Sequence, residues 1–328
     1  MNICTSYAEE RNLNLKILHK LFSNGKPSAL NYGLLHAHGE IVGIFDGDNV
    51  PSKDALLNVC RYFEDPNVAA VQGRTMSINP DQNMLTKFIS HEETIWCEAF
   101  LRGKDVLNLF VHLKGSCQFF KRDVLEELGG FDESYLSEDM EISARLTQND
   151  YKIRYAGDVQ SLQESPPSLK QLFTQRTRWF RGCMEVAFKY GKLMAKPSKK
   201  RLDAEATLLG PFIALASLVA YAAAFSAVFI PVKLAFWLEF LMQSMAIVTT
   251  LIILLGSLAL IYSSKQRKLT SLLWVPFIYF YWSSQVFIAL YAMFLILLRR
   301  PRRWMKTEKS GEVTGQELVP APQDVPPE

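Results

Sequence analysis

Two acidic residues separated by one glycine follow an apolar run in the first part of the chain. The run occupies residues 41–45, and Asp46, Gly47 and Asp48 come directly after it. Two carboxylates at positions i and i+2 across a tight glycine turn can face one hard divalent cation together with the oxygens of a diphosphate. The same three residues also form ordinary turns, so this stretch alone leaves both interpretations open.

A second acidic pair stands at the start of a predicted helix. Ser137 is placed to cap this helix, and Glu138 and Asp139 lie in its first turn. Acidic residues at this position commonly do no more than complement the helix dipole. Alternatively, Asp139 faces the same crevice as Asp46 and accepts a proton from a hydroxyl nucleophile.

A third group of candidate residues lies in the segment 168–192, which has helical periodicity and is rich in basic residues, Arg176 and Arg181 among them. Gln175, Arg178 and Trp179 stand at i, i+3 and i+4, so they share one helix face. Such an amphipathic helix is predicted to lie on a membrane surface. Trp179 is then either an interfacial anchor or a stacking platform for a sugar ring.

The elements that must position these residues alternate between strand and helix. Apolar runs at residues 13–21, 41–45 and 67–73 predict strands, and helices are predicted between them, one beginning near Pro27. This alternation indicates an α/β layered domain. Ligands of open α/β sheets bind at the carboxyl ends of strands, which is where Asp46 and Asp48 stand.

Composition separates the chain into two unlike parts. The 328 residues are 49% hydrophobic and 21% charged, with a net charge of +3, but the stretches 206–232, 240–264 and 269–298 contain no charged residue. Each stretch is long enough to cross a bilayer, so a multi-pass membrane protein is predicted. The five cysteines form no C-x-x-C pair, which argues against a zinc site or a disulfide framework and favours a cytosolic catalytic part.

Taken in order along the chain, these pieces resemble a known family. An Asp-x-Asp after a strand, a later Glu-Asp pair, and Gln-x-x-Arg-Trp before apolar spans resemble the processive family 2 glycosyltransferases, which include cellulose, chitin, hyaluronan and poly-N-acetylglucosamine synthases. The stretches NGKPSALNYGL, VQGR and LKGSCQFFKRDVLEELGGFDE fit the same resemblance. The implied fold is an α/β GT-A-like nucleotide-sugar-binding domain, followed by an interfacial amphipathic helix and α-helical transmembrane segments.

The resemblance also implies roles for individual residues. The metal ligands would be Asp46 and Asp48, holding Mg²⁺ or Mn²⁺, and the general base would be Asp139. Residues implied in donor binding are Lys26, Asp46, Arg74 and Arg178. Residues implied in acceptor binding are Glu138, Gln175 and Trp179.

The same resemblance predicts the domain layout. We expect a glycosyltransferase domain at 1–165, the amphipathic helix at 166–200, about three spans within 206–298, and a basic then disordered tail at 299–328. Family members carry an earlier strand–helix–strand unit with an acidic nucleotide-site residue, so the catalytic domain is expected to be incomplete at its front. On a three-span count, the basic clusters at 265–268 and 299–306 lie on opposite sides of the membrane. Basic clusters favour the cytosolic side, so the two clusters conflict with that count.

The predicted function is that of a membrane-bound inverting enzyme. It would transfer a sugar from a nucleotide-sugar donor, UDP-glucose or UDP-N-acetylglucosamine, to a growing β-linked polysaccharide. Two alternatives stay open: non-processive transfer to a lipid or polyprenyl-phosphate acceptor, and an inactive membrane subunit or scaffold. Expected partners are the donor, a glycan acceptor, the lipid bilayer and an accessory membrane subunit, with no nucleic acid, and the expected location is the cell membrane with the catalytic domain in the cytosol.

Overall fold

The structure is a computed structural model that describes residues 2–10, 12, 14–22, 25–191, 196–229, 235–263 and 273–302. The helices of these parts are α1 (Asn2–Glu10), α2 (Lys26–Leu34), α3 (Ala55–Cys60), α4 (Met84–Ile95), α5 (Arg102–Val106), α6 (Arg122–Glu127), α7 (Glu138–Gln148), α8 (Leu169–Tyr190), α9 (Lys199–Leu208), α10 (Gly210–Phe229), α11 (Phe236–Ser263) and α12 (Val275–Leu297). A 3₁₀ turn at Arg61–Glu64 follows α3, and a π-helical turn at Trp96–Leu101 joins α4 to α5.

Five strands form one mixed sheet. They are β1 (Ile41–Ile44), β2 (Val50–Pro51), β3 (Val68–Ser77), β4 (Gln118–Lys121) and β5 (Lys152–Gln163), in the spatial order β1-β4-β3-β5-β2. Only the β3–β5 pair is parallel among the described strands; the other three pairs are antiparallel. The alternation of strands and helices predicted an α/β layered domain, and the sheet of this domain is mixed. An apolar run predicts burial on both faces, but it does not determine strand direction.

The predicted strand at residues 13–21 is also wrong, because the described residues of that run, 14–21, are irregular. The predictions at residues 41–45 and 67–73 are confirmed by β1 and β3, and the helix predicted near Pro27 is α2. A strand forms only where a neighbouring strand pairs with its backbone hydrogen-bonding groups. An alternating apolar pattern alone therefore does not establish a strand.

The hydrophobic core lies on both faces of this sheet. Phe119 and Phe120 are neighbours on β4 and point to opposite faces, as successive strand residues must. Phe120 packs with Ile142 of α7 in one buried cluster, whereas Phe119 packs with Val71 and Val159 in the other. Layers on both faces fix the ends of β1 and β4, and the turn with Asp46 and Asp48 follows the end of β1.

The apolar helices α10, α11 and α12 occupy the positions of the three uncharged stretches. Among the described residues, α12 is the single helix that is long and apolar enough to cross a bilayer by itself. Helix α9 and the first part of α10, which are bent by 56° relative to one another, would make a second span if counted together. The prediction of about three spans thus stays a prediction.

Some of the expectations fall on residues outside the described parts of the chain. These are residues 192–195 of the predicted amphipathic segment, the basic cluster at 265–268, and residues 303–328 of the predicted basic and disordered tail.

Candidate active site

Lys26 joins three separate segments at the end of the sheet. It is the first residue of α2, where Pro27 suits the first helical turn. Its Nζ lies 2.6 Å from Asp46 Oδ1, 3.5 Å from Glu138 Oε1 and 2.7 Å from the carbonyl oxygen of Gly115, to which it donates. The lysine side chain is 17% exposed, so its charge is balanced chiefly by these oxygens.

The turn that carries Asp46 and Asp48 begins just after β1. The backbone N–H of Asp46 donates to Ser116 Oγ at 3.1 Å, and Ser116 Oγ donates to Asn49 Oδ1 at 2.9 Å. Ser116 therefore ties both ends of the turn to the loop before β4. No atom lies within 4 Å of the position that a Cβ on Gly47 would take, so the turn borders open space that a ligand can enter.

Asp139 lies in the first turn of α7 and faces the Gly115 loop. A Cβ on Gly115 would lie 3.1 Å from Asp139 Oδ2 and 3.4 Å from Lys26 Nζ, and the φ of Gly115 is +82°. Only glycine adopts this backbone conformation without strain and leaves room for both side chains. The other carboxylate oxygen of Asp139, Oδ1, accepts a hydrogen bond from the backbone N–H of Met140 at 2.8 Å.

The charges of this cluster act on one another. Burial raises the pKa of Asp139, while the positive charges of Lys26 and Arg178 lower it in part. Burial, followed by the negative charge of Asp139, raises the pKa of Glu138. Burial by itself lowers the pKa of Lys26, but Glu138 and Asp46 reverse that effect and leave it raised. Two adjacent carboxyl groups with raised pKa values and a firmly charged lysine are typical of a proton-transfer site.

Helix α8 carries the three remaining candidate residues, Gln175, Arg178 and Trp179. Arg178 lies close enough to Asp139 to lower the pKa of that carboxyl group. Gln175 is half-buried, whereas Trp179 is 40% exposed. The guanidinium carbon of Arg176 lies 4.3 Å from the centre of the Trp179 ring.

The predicted surface-lying character of α8 needs correction at two positions. Arg176 and Arg181 have side chains only 11% and 8% exposed, and they pair with Glu92 and Glu185. These arginines face protein because carboxylates from neighbouring turns or helices compensate their charges, which sequence periodicity does not reveal.

The structure brings together Lys26, Asp46, Glu138 and Asp139, but Arg74 forms its ion pair outside this cluster. The partner of Arg74 is Glu98 of the π-helical turn, at 3.0 Å. Sequence reasoning missed Ser116 and Gly115, although the stretch LKGSCQFF that contains them was part of the resemblance. A glycine beside a serine carries little information until the loop is placed against Asp139.

Within the part of the chain that the structure describes, no group of three or more His, Cys, Asp and Glu side chains is arranged to hold a metal ion. Magnesium bound beside nucleotide phosphates needs only one or two protein carboxylates, because phosphate and water oxygens complete its shell. Asp46 and Asp48 are hard oxygen donors on a turn that borders open space, and the side chain of Asp46 is 43% exposed. The residues present therefore fit such an ion.

The chain is similar in sequence to one protein family and to several known proteins. A family model described as glycosyl transferase family group 2 matches residues 41–300. Beta-monoglucosyldiacylglycerol synthase of Synechocystis sp. (strain ATCC 27184 / PCC 6803 / Kazusa) is 31% identical over 196 residues, which cover 58% of this chain and 40% of that protein. Poly-beta-1,6-N-acetyl-D-glucosamine synthase of Staphylococcus epidermidis is 28% identical over 181 residues, 55% of this chain and 44% of that protein. The chain thus spans less than half the length of either relative.

A solved structure shares the fold. Mannosyltransferase PcManGT from Pyrobaculum calidifontis, in complex with GDP-Man and Mn²⁺, matches with a TM-score of 0.56 and 21% sequence identity. The match covers 92% of this chain and 74% of that one. The α/β part is accordingly a GT-A-like fold with a mixed sheet.

Proposed function

The chain belongs to glycosyl transferase family group 2, and from this premise we propose that it transfers a sugar from a nucleotide-sugar donor to the growing end of a β-linked polysaccharide. The observation that carries the proposal is the meeting of Lys26, Asp46, Glu138 and Asp139 at one end of the sheet. This cluster combines a cation for a diphosphate with a carboxylate for a hydroxyl proton.

Asp139 acts as the general base. The acceptor hydroxyl oxygen forms a bond to the anomeric carbon of the donor while the bond from that carbon to the diphosphate oxygen breaks. The hydroxyl proton passes to the Asp139 carboxylate, and the nucleoside diphosphate leaves. The displacement inverts the anomeric centre and needs no covalent enzyme intermediate.

Lys26 and Arg178 hold the donor and balance the carboxylates around it. Their positive charges attract the diphosphate and keep Asp139 more readily ionised than burial alone would allow. Glu138 contacts the acceptor side, and Arg74 is a further candidate donor contact. Its ion pair with Glu98 has to open or be shared before the guanidinium reaches a phosphate.

Asp46 and Asp48 would hold the divalent ion, which supplies positive charge to the leaving diphosphate when bound. The related fold that binds GDP-Man and Mn²⁺ supports this assignment. Removal of the metal by a chelator is expected to abolish transfer, and Asp48→Asn to raise the Mg²⁺ or Mn²⁺ concentration for half-maximal rate at least about tenfold. An unchanged rate in excess chelator would exclude the metal.

The names of the two relatives point to different acceptors. One relative is named as a glucosyldiacylglycerol synthase and the other as a polysaccharide synthase. Gln175 and the exposed ring of Trp179 support a glycan acceptor, because they lie on the same helix as Arg178, whose charge acts on Asp139. Transfer to a lipid or polyprenyl phosphate is the second candidate, and the apolar helices α10–α12 support it as well as they support a membrane location with a cytosolic catalytic domain.

The length of the product tests the proposal. The full chain in lipid vesicles is incubated with UDP-glucose or UDP-N-acetylglucosamine, and products are sized by mass spectrometry for the unaltered protein and for Trp179→Ala. We expect a polymer that becomes shorter in the variant, because loss of one stacking contact of about 1 kcal/mol lowers acceptor occupancy several-fold at each addition. A lipid carrying a single sugar would instead establish the second candidate. No transfer with either donor would contradict the proposal and favour an inactive subunit or scaffold.

A further inference from the structure

The indole of Trp179 is held by a neighbouring cation on the same helix. Arg176 precedes it by one turn of α8, and the guanidinium carbon lies 4.3 Å from the ring centre. A planar guanidinium stacks on an aromatic face in a way that an ammonium group does not. Because 40% of Trp179 remains exposed, ring surface is left over for a ligand.

Arg176 is itself fixed from another helix. Its Nη2 donates to Glu92 Oε2 of α4 at 2.5 Å, and the two side chains are only 11% and 15% exposed. A charge pair so far removed from water has few alternative arrangements, because separating the two side chains would leave each charge buried without a partner. Arg176 thus lies between two partners, with Glu92 bound to its guanidinium and the indole of Trp179 against its face.

Glu92 collects two further donors from α12. Tyr281 Oη donates to Glu92 Oε2 at 3.1 Å, and Gln285 Nε2 donates to Glu92 Oε1 at 3.4 Å. The Tyr281 ring also stacks on Phe88, one turn before Glu92 on α4, with ring centres 5.7 Å apart. Polar side chains are costly on an apolar helix such as α12, and here two of them converge on one carboxylate.

We propose that Arg176 is a positioning residue for the acceptor platform Trp179. Glu92 anchors Arg176. Because Glu92 also accepts hydrogen bonds from α12, the position of the Trp179 ring depends on the position of α12. The inference rests on the proposed function, because it assumes that the Trp179 ring receives the acceptor. It assigns these groups to acceptor binding and leaves donor binding and the proton transfer to Lys26, Asp46 and Asp139.

The test separates the position of the ring from the binding of the acceptor. The full chain is labelled with 5-fluorotryptophan, and the Trp179 resonance is assigned as the one lost in Trp179→Phe. Arg176→Lys keeps the charge and removes the planar stack, and Tyr281→Phe removes one donor to Glu92 with little change of shape. Arg61→Lys, an exposed arginine paired with Asp158, is the matched control.

We expect the ¹⁹F resonance of Trp179 to move in Arg176→Lys, to move less in Tyr281→Phe, and to stay in place in the control. With soluble β-linked glucose or N-acetylglucosamine oligomers as acceptor, Arg176→Lys should raise the acceptor KM about fivefold, the value of one cation–π contact. The donor KM and the rate of donor hydrolysis without acceptor should stay constant.

An unmoved resonance in Arg176→Lys would overturn the positioning role. A moved resonance with an unchanged acceptor KM would overturn the link to the acceptor. Absence of transfer by the unaltered chain contradicts the proposed function itself, and in that event the resonance alone still decides whether Arg176 holds the ring.

Discussion

In the α/β region, charged side chains converge on one end of the sheet, whereas large apolar side chains are exposed along α10, α11 and α12. Lys26, Asp46 and Glu138 come from three distant segments and meet at the end of the sheet. On α12, Tyr281 and Gln285 turn toward Glu92 of α4. Val219 on α10 is 70% exposed.

The two regions are suited to different uses. Buried ionisable groups are expensive, so a cluster of them persists where each charge has partners and where chemistry needs shifted pKa values. An apolar exposed surface is expensive in water and is stable in lipid or against protein. The two regions meet at α8, where Arg176 pairs with Glu92 of α4 and Arg181 donates to the backbone carbonyls of Arg300 and Pro301 after α12.

Removal of the base should produce the largest effect. Asp139→Asn keeps the shape of the side chain but removes the destination of the acceptor proton, so kcat should fall by about 10²–10⁴-fold. Donor affinity, measured by calorimetry, should change little. Asp65→Asn, on a surface acid paired with Lys152, serves as the control. Lost donor affinity with a normal rate per bound donor would identify Asp139 as a binding residue instead.

Removal of the central cation should move the pH dependence. As the proposed general base, Asp139 must be deprotonated to act, and its pKa is raised in the folded protein, so the rate should fall as the pH falls through that raised value. The charge of Lys26 lowers the pKa of Asp139, so Lys26→Met should shift this acidic limb to higher pH. The measurement is kcat/KM against pH, with Lys152→Met as the control. An acidic limb that stays in place would mean that Lys26 does not act on the base.

A close contact between α7 and α8 provides a smaller, structural test. A Cβ on Gly182 would lie 2.0 Å from Ser137 Oγ and 3.1 Å from the Ser137 backbone nitrogen, directly before Glu138. Gly182→Ala should therefore cost about 1–3 kcal/mol of unfolding free energy and also lower the rate. Gly103→Ala, where nothing lies within 4 Å, should be neutral or slightly stabilising. Equal denaturation midpoints for the two variants would contradict this packing.

The smallest effects should separate exposed apolar residues in the two regions. Leu57 on α3 is 74% exposed and Val219 is 70% exposed. Leu57→Gln should leave the unfolding free energy within about 0.5 kcal/mol and membrane recovery unchanged. Val219→Gln should modestly reduce the fraction recovered with lipid vesicles after flotation. The same recovery for both variants would show that α10 does not face lipid.

The places of the candidate acids in the fold were predictable because they depend on local sequence. The Asp46–Gly47–Asp48 turn follows an apolar strand, and Asp139 begins a helix, and both features depend only on residue type and short spacing. The order of these motifs along the chain led to the family that residues 41–300 match. The sequence also located the helices α2, α8 and α12, since proline placement and apolar periodicity act within single elements.

Which of these groups meet depends on how distant segments pack in the folded chain. Lys26 reaches Gly115 and Glu138 across long stretches of chain, and no periodicity encodes a contact between residues so far apart. Strand direction in the mixed sheet and the irregular path of residues 14–21 depend on which backbone groups find partners after folding. Arg176 looked like part of a solvated basic face, yet Glu92 on another helix compensates its charge and holds it against Trp179. Residue type determined which charges the chain carries, and packing determined which of them could leave water.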